Sequence, residues 1–216
     1  MQITIKTEVF KKFHPKLRIA FIQIDNFNNK KLKQSQKLLQ ETAQLIQLTF
    51  NKETVKNHHL ISPWKVAKEE GGKKPKHYHT SVEQLIHKTL KNKKIATKNT
   101  LTNLVNYLSL KYIIPMNIDD LNKIKGNLAF SAPNKENLNY SDKEKKLGTK
   151  IGYWKNPKTN LKNSSTSALI HIETIPPVTP KELNEIVKET EKLIKEFCGG
   201  EIKTFILSKK NNTKKI

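Results

Sequence analysis

The stretch ALIHIETIPPVTPKELNEIVKETEKLIKEFCGGEIKTFILS, residues 168–208, holds an α/β unit in miniature. Its first eight residues form a nearly unbroken apolar and β-branched run of core-strand length. PPVTP is a linker. Thr179, Pro180 and Glu182 then supply a capping hydroxyl, a first-turn proline and a capping-box carboxylate, which together open a helix. Leu183, Ile186, Val187, Ile194 and Phe197 recur at helical spacing until Gly199 and Gly200 end the helix. IKTFILS follows as a further strand, and the polar ending KKNNTKKI is expected to fray.

Working upstream, ITIKTEVF and LRIAFIQI (17–24) read as strands, with Pro15 in a turn between them. Leu32, Leu38, Leu39, Leu45 and Ile46 predict a long surface helix over 29–50. Ser62 and Pro63 open a short helix, WKVAKEE, that Gly71 and Gly72 would stop, and GGKKPKHYH is a loop. Thr80 and Glu83 have capping-box spacing ahead of Val82, Leu85, Ile86 and Leu90. Asn99 or Thr100 caps a further helix striped by Leu101, Leu104, Val105 and Leu108 and bounded by Pro115. Beyond it, GNLAFSAP and IGYWK are short strand candidates around the lysine-rich insert NKENLNYSDKEKKLGTK, read as a flexible connection. Strands and helices interspersed without an internal repeat predict a mixed α/β fold in a single compact domain over residues 1–207, followed by a frayed basic tail at 208–216.

Of the 216 residues, 35% are hydrophobic and 28% charged, which suits one globular core. No apolar run reaches membrane-spanning length, and the charged opening MQITIKTEVF lacks the apolar stretch of a signal peptide. A cytoplasmic protein is the expectation. Cys198 is a lone cysteine, so no internal disulfide, zinc ribbon or redox pair can form, and it reads as a packing residue. Lys+Arg 41 against Asp+Glu 19 leaves +22, which points to polyanionic partners. Only Arg18 is arginine. Lysine lacks the planar fork that reads guanine, so the excess favours backbone attraction to RNA without DNA sequence specificity. The lysines run through the whole chain, which leaves a dedicated groove and a uniformly solvated surface equally open.

The chain lacks a glycine-rich phosphate loop and a nucleophile elbow, which removes most nucleotide-dependent enzymes and common hydrolases. His77 and His79 share a side if HYH is extended, yet with no cysteine or carboxylate at a recognised ligand spacing they read as loop residues; no metal and no cofactor are expected. His171 reads as a satisfied sheet residue. Tyr153 and Trp154 are adjacent in a strand candidate, so one of them faces away from the core.

Residues 99–138, NTLTNLVNYLSLKYIIPMNIDDLNKIKGNLAFSAPNKENL, carry an ordered series: Asn106 and Tyr107 on a helix, Pro115, then Asp120, Leu121, Lys123, Ile124 and Gly126, a strand, and Glu136 in an acidic turn. This series resembles the B3/B4 editing and tRNA-binding domain of the phenylalanyl-tRNA synthetase beta subunit, and more closely its stand-alone form. The flanks HLISPWKVAKEEGGKKPKHYHTSVEQLIHKTLKNKK and NSSTSALIHIETIPPVTPKELNEIVKETEKLIKEFCGG are similar to the stand-alone family too. The resemblance implies layered β-sheets with flanking helices, tRNA or aminoacyl-tRNA as partner, and deacylation of mischarged aminoacyl-tRNA in trans. Asn106, Asn117 and Glu136 are the pocket positions it implies. Val105 and Asn117 stand where the synthetase domain has a threonine and a histidine, and its pocket-closing glycine-rich segment is replaced by LGTKIGYWKNPKTNLKNSS. Asn106 is alternatively a structural helix-to-loop bond. With a single arginine the chain does not charge tRNA by itself. The other readings are a non-catalytic lysine-rich RNA binder that keeps the fold, and a pocket for a free amino acid or small metabolite.

Overall fold

Two strands buried on both faces organise the chain. In the computed structural model, which describes residues 1–69, 79–134, 137–144, 146–148 and 159–216, β2 (Arg18–Asp25) and β7 (Ser167–Thr174) pair antiparallel along their whole length. Side chains alternate across a strand, so each must suit two cores. Ile19, Phe21 and Leu169 enter one; Ala20, Ile22, Ile24, Ala168, Ile170 and Ile172 enter the other.

The first core lies between two sheets. β3 (Met116–Asp120) and β8 (Glu201–Leu207) complete a four-stranded antiparallel sheet in the order β3-β7-β2-β8. Facing it is a five-stranded sheet, β6-β5-β4-β1-β9, built from β1 (Gln2–Ile5), β4 (Leu128–Asn134), β5 (Asn137–Ser141), β6 (Lys146–Gly148) and β9 (Thr213–Lys215). β1 and β4 run parallel. Ile3, Ile5, Phe130 and Tyr140 meet Phe21 and Leu169 between the layers, with Phe21 and Phe130 edge to face at 5.8 Å.

The second core packs helices on the outer face of the four-stranded sheet. α6 (Thr100–Tyr112) contributes Leu101, Leu104, Val105 and Leu108, and α7 (Pro180–Cys198) contributes Leu183, Ile186, Val187 and Ile194. The Lys111 ammonium and the Tyr112 hydroxyl of α6 both donate to Glu189 of α7, and burial followed by that bond pushes the Tyr112 phenol up to about 12. A third apolar cluster joins α2 (Leu32–Thr49), α3 (Lys52–Asn57) and α5 (Ser81–Leu90) to the far side of α6 through Leu39, Val55, Ile86 and Leu110. α1 (Thr7–Lys12) and α4 (Ser62–Glu69) add Val9, Phe10 and Trp64 to the first core.

The mixed α/β expectation holds, and its corrections are local. TEVF is helix rather than strand, because Val9 and Phe10 are consecutive and both buried, and Glu8 accepts the Ala132 amide of β4. α3 is an additional helix, opened by a reciprocal cap between Asn51 and Thr54. Part of the lysine-rich insert forms β5, which pairs with β4, and β6, which pairs with β5, and no local periodicity announces either pairing. The ending expected to fray instead forms β9 and pairs antiparallel with β1, and Asn212 donates to the Ile5 carbonyl. The Gly71–Gly72 stop, His77 and the IGYWK strand lie outside the described residues.

α7 ends at two glycines, and the second is constrained. Gly200 has φ +86°, and a Cβ there would lie 2.6 Å from the Asp25 carbonyl oxygen. Gly200→Ala is expected to cost about 1–3 kcal/mol, read as a lower urea midpoint at unchanged slope.

Candidate functional site

α6 and β3 are joined by a tight reversal that shapes the site. Asn99 caps α6 by accepting the Thr102 amide at 2.9 Å. The helix ends at Ile113, which adopts the left-handed conformation with φ 53°. The Ser109 hydroxyl donates to the Ile114 carbonyl at 2.8 Å, so the turn is tied back onto the helix before Pro115 leads into β3. Asn106 on α6 and Asn117 on β3 thereby line one cavity of about 430 Å³, with Val105 in the same wall.

Much of the remaining wall comes from Ser81, Gln84, Leu85 and Lys88 of α5, the loop at 94–99, and Asn160, Leu161 and Asn163. A buried amide holds the loop. Asn103 accepts the Thr97 amide at 2.7 Å and donates to Ser35 Oγ and the Thr97 carbonyl, both at 3.2 Å. Gln36 Nε2 adds a bond to the same carbonyl at 2.9 Å. Lys88, Lys94 and Lys98 are exposed at the rim. An anionic ligand would meet cations before it met the amides.

The two asparagines differ in what they have to spare. Asn106 Nδ2 donates to the Ile95 carbonyl at 3.4 Å, which is the helix-to-loop bond anticipated as its structural role. Asn117 Nδ2 is buried and has no hydrogen-bond partner among the described residues. An unpaired buried amide costs about 1–3 kcal/mol, so a donor kept at a cavity wall is one that a ligand can satisfy. Glu136 lies outside the described residues, as do Tyr153 and Trp154.

Asp119, two residues beyond Asn117, carries no sequence signal that marks it for the site. It lines the cavity and is buried, accepting the Thr159 hydroxyl at 2.5 Å on Oδ1. Behind it lies His171 of β7, wholly buried between two carboxylates: Nε2 is 3.6 Å from Asp119 Oδ2, and Nδ1 is 3.2 Å from Glu173 Oε1. Burial alone would lower the His171 pKa, but the two neighbouring carboxylates, Asp119 and Glu173, outweigh it and the net shift is upward. The Tyr140 phenol is raised well above its ordinary value by burial first and by Asp119 second. The adjacent Asp120 is structural: it accepts the Asn122 amide at 3.1 Å and the Ser165 hydroxyl at 2.7 Å.

Other candidates resolve into packing. Cys198 is buried, and burial pushes its thiol up to about 12, far from a nucleophile's range. Trp64 sits in the first core, 6.1 Å from the Phe13 ring. Among the described residues no helix is long and apolar enough to cross a membrane.

Because its folded pKa is raised, the charged His171 contributes stability that is complete below the ordinary value of 6.5 and is lost as pH rises through the folded value. His171→Ala, which removes the imidazole from between two buried carboxylates, is expected to cost about 3–5 kcal/mol at mildly acidic pH and less at alkaline pH. Urea titrations of both proteins across that range give the comparison. Asn103→Ala strands the Thr97 amide and is expected to cost about 1–3 kcal/mol, with faster amide exchange at Thr97.

No curated protein matches the chain. A family model described as B3/4 domain matches residues 64–150, from α4 to just beyond β6. α5, α6 and β3, with Asn106, Asn117 and Asp119, all lie within the match. Residues 64–150, less than half of the chain, are thus similar to a B3/4 domain, and they build most of the cavity wall.

Proposed function

We propose that the cavity between α5, α6 and β3 receives the aminoacyl end of a tRNA and hydrolyses the ester of a mischarged amino acid. The observation that carries this reading is the convergence of Asn106, Asn117 and Asp119 in one lysine-rimmed cavity built mostly by residues of the B3/4 match. A volume of about 430 Å³ is within the range of small-molecule sites. The family resemblance to the phenylalanyl-tRNA synthetase editing module supplies the substrate class, with tyrosine on phenylalanine tRNA as the reference ester.

Lys88, Lys94 and Lys98 attract the terminal phosphates as point charges. The Asn117 amide donates to the ester carbonyl oxygen and holds charge there as the tetrahedral intermediate forms. Asn106 orients the aminoacyl group from the facing helix, and Glu136 contributes a polar or basic group. Asp119, the acidic residue among the described wall residues, accepts a hydrogen bond from the attacking water. The water oxygen bonds to the carbonyl carbon, the ester C–O bond breaks, and the proton passes to the departing ribose hydroxyl. Placement of water and ester together is the main catalytic resource in such a site.

A second reading is a non-catalytic RNA binder. The Asn106 bond to Ile95 and the presence of Val105 and Asn117 in place of a threonine and a histidine favour it.

Deacylation of a panel of mischarged tRNAs separates the two. Editing predicts release of amino acid by wild type and a drop of at least about tenfold in Asn117→Ala and in Glu136→Ala, the scale of removing one oxyanion donor or acid–base group. No release from any substrate, with RNA binding intact, leaves the second reading. Under either, Lys94→Ala with Lys98→Ala is expected to weaken tRNA binding and to lower the salt slope by about 1 for each phosphate that the variant no longer neutralises.

A further inference from the structure

α5 presents a second constellation on the face opposite the cavity. Ser81, Gln84, Leu85 and Lys88 line the cavity, whereas His79, Glu83 and His87 stand one turn apart on the other side. The capping box sets the middle residue. The Thr80 amide donates to Glu83 Oε2 at 3.3 Å, and the Glu83 amide donates to Thr80 Oγ1 at 3.2 Å. The carboxylate is held by one oxygen, and its other oxygen, Oε1, lies 2.8 Å from His79 Nδ1 and 3.9 Å from His87 Nε2. The two rings sit 4.9 Å apart at 72°, and the three ligand atoms all lie within 4.8 Å of one another.

We propose that His79, Glu83 and His87 bind a divalent transition-metal ion, with zinc the natural probe. A tetrahedral ion with bonds of about 2.0–2.2 Å needs ligand atoms roughly 3.3–3.6 Å apart, a spacing that the observed distances bracket and small side-chain rotations reach. Two imidazoles and one carboxylate select zinc and its neighbours over magnesium and calcium, which prefer all-oxygen shells. The cap bond to Oε2 acts as an outer-shell support that orients the ligating oxygen. Three protein ligands, with His79 45% exposed, leave the fourth position to water. Lys91 and Lys52 are the cations whose fields reach His87. The same lysines oppose an incoming cation and so moderate the affinity. The ion ties the residue before the helix cap to the second turn of α5, and it does so independently of any chemistry in the cavity.

In the sequence, His79 pairs most simply with His77 across an extended HYH. The ligand-spacing carboxylate is Glu83, which is already occupied as a cap and so does not stand out as a ligand until the helix is built.

Zinc chloride titrated calorimetrically into metal-stripped protein, with elemental analysis of the dialysed product, tests the site. One equivalent is expected in wild type. His87→Ala and Glu83→Gln are each expected to bind at least about tenfold more weakly, the scale of removing a supporting or ligating group. Glutamine keeps the cap, and far-UV dichroism checks that α5 persists in both variants. A His58→Ala, His59→Ala variant, which removes the other close histidine pair, at 4.5 Å, is expected to bind as wild type does. Absence of binding overturns the proposal, as does binding that survives His87→Ala or disappears with the His58 and His59 pair.

Discussion

The double burial of β7 is the constraint on which the remaining structure depends. Seven of its eight residues are buried, so one strand must satisfy the sheet-to-sheet core and the sheet-to-helix core together. Its helix-facing residues are aliphatic, and Ala168, Ile170 and Ile172 accept the ridges of α6 and α7. Its other face carries Leu169, His171 and Glu173, two of them polar groups in a place that water does not reach. Such groups are tolerated only when paired. The pairing brings in Asp119 from β3 and places Tyr140 from β5 beside them, so the polar cluster ties the edge of one sheet to the face of the other.

That tie positions the cavity. β3 is an edge strand and is held by register with β7, Asn117 opposite His171 and Asp119 opposite Leu169. Had β3 slipped by one residue, both polar side chains would point to the helical core. The Ser109 to Ile114 bond fixes the distance from α6 to β3, and Asn103 fixes the loop at 94–99. The wall is thus a set of side chains whose own backbone positions are over-determined. Preorganisation of that kind is what a binding or catalytic site requires.

Charge works on a different length scale. The +22 surplus is carried almost wholly by lysine and spread along the chain. It raises encounter rates with any polyanion and confers little discrimination. Discrimination has to come from shape and from a few desolvated amides, and among the described residues Asn117 keeps a donor to offer.

Much of the architecture was legible in short-range pattern. Period-two and double-sided apolar runs marked β2, β7 and β8, and capping boxes at Thr80 and Thr179 marked α5 and α7, because these signals reside in neighbouring residues. The ordered series from Asn99 to Leu138 lies within the B3/4 match, and it drew attention to Asn106 and Asn117. What the tertiary structure alone decided were the partners that chain proximity cannot announce. β9 is a strand because β1 offers an edge, β5 because β4 does, and β6 because β5 does. Asp119 belongs to the cavity because β7 sets its register. Sequence determined the core strands, the capped helices and the charges they carry; long-range hydrogen bonding and burial decided which further segments become edge strands and which polar groups face the same space.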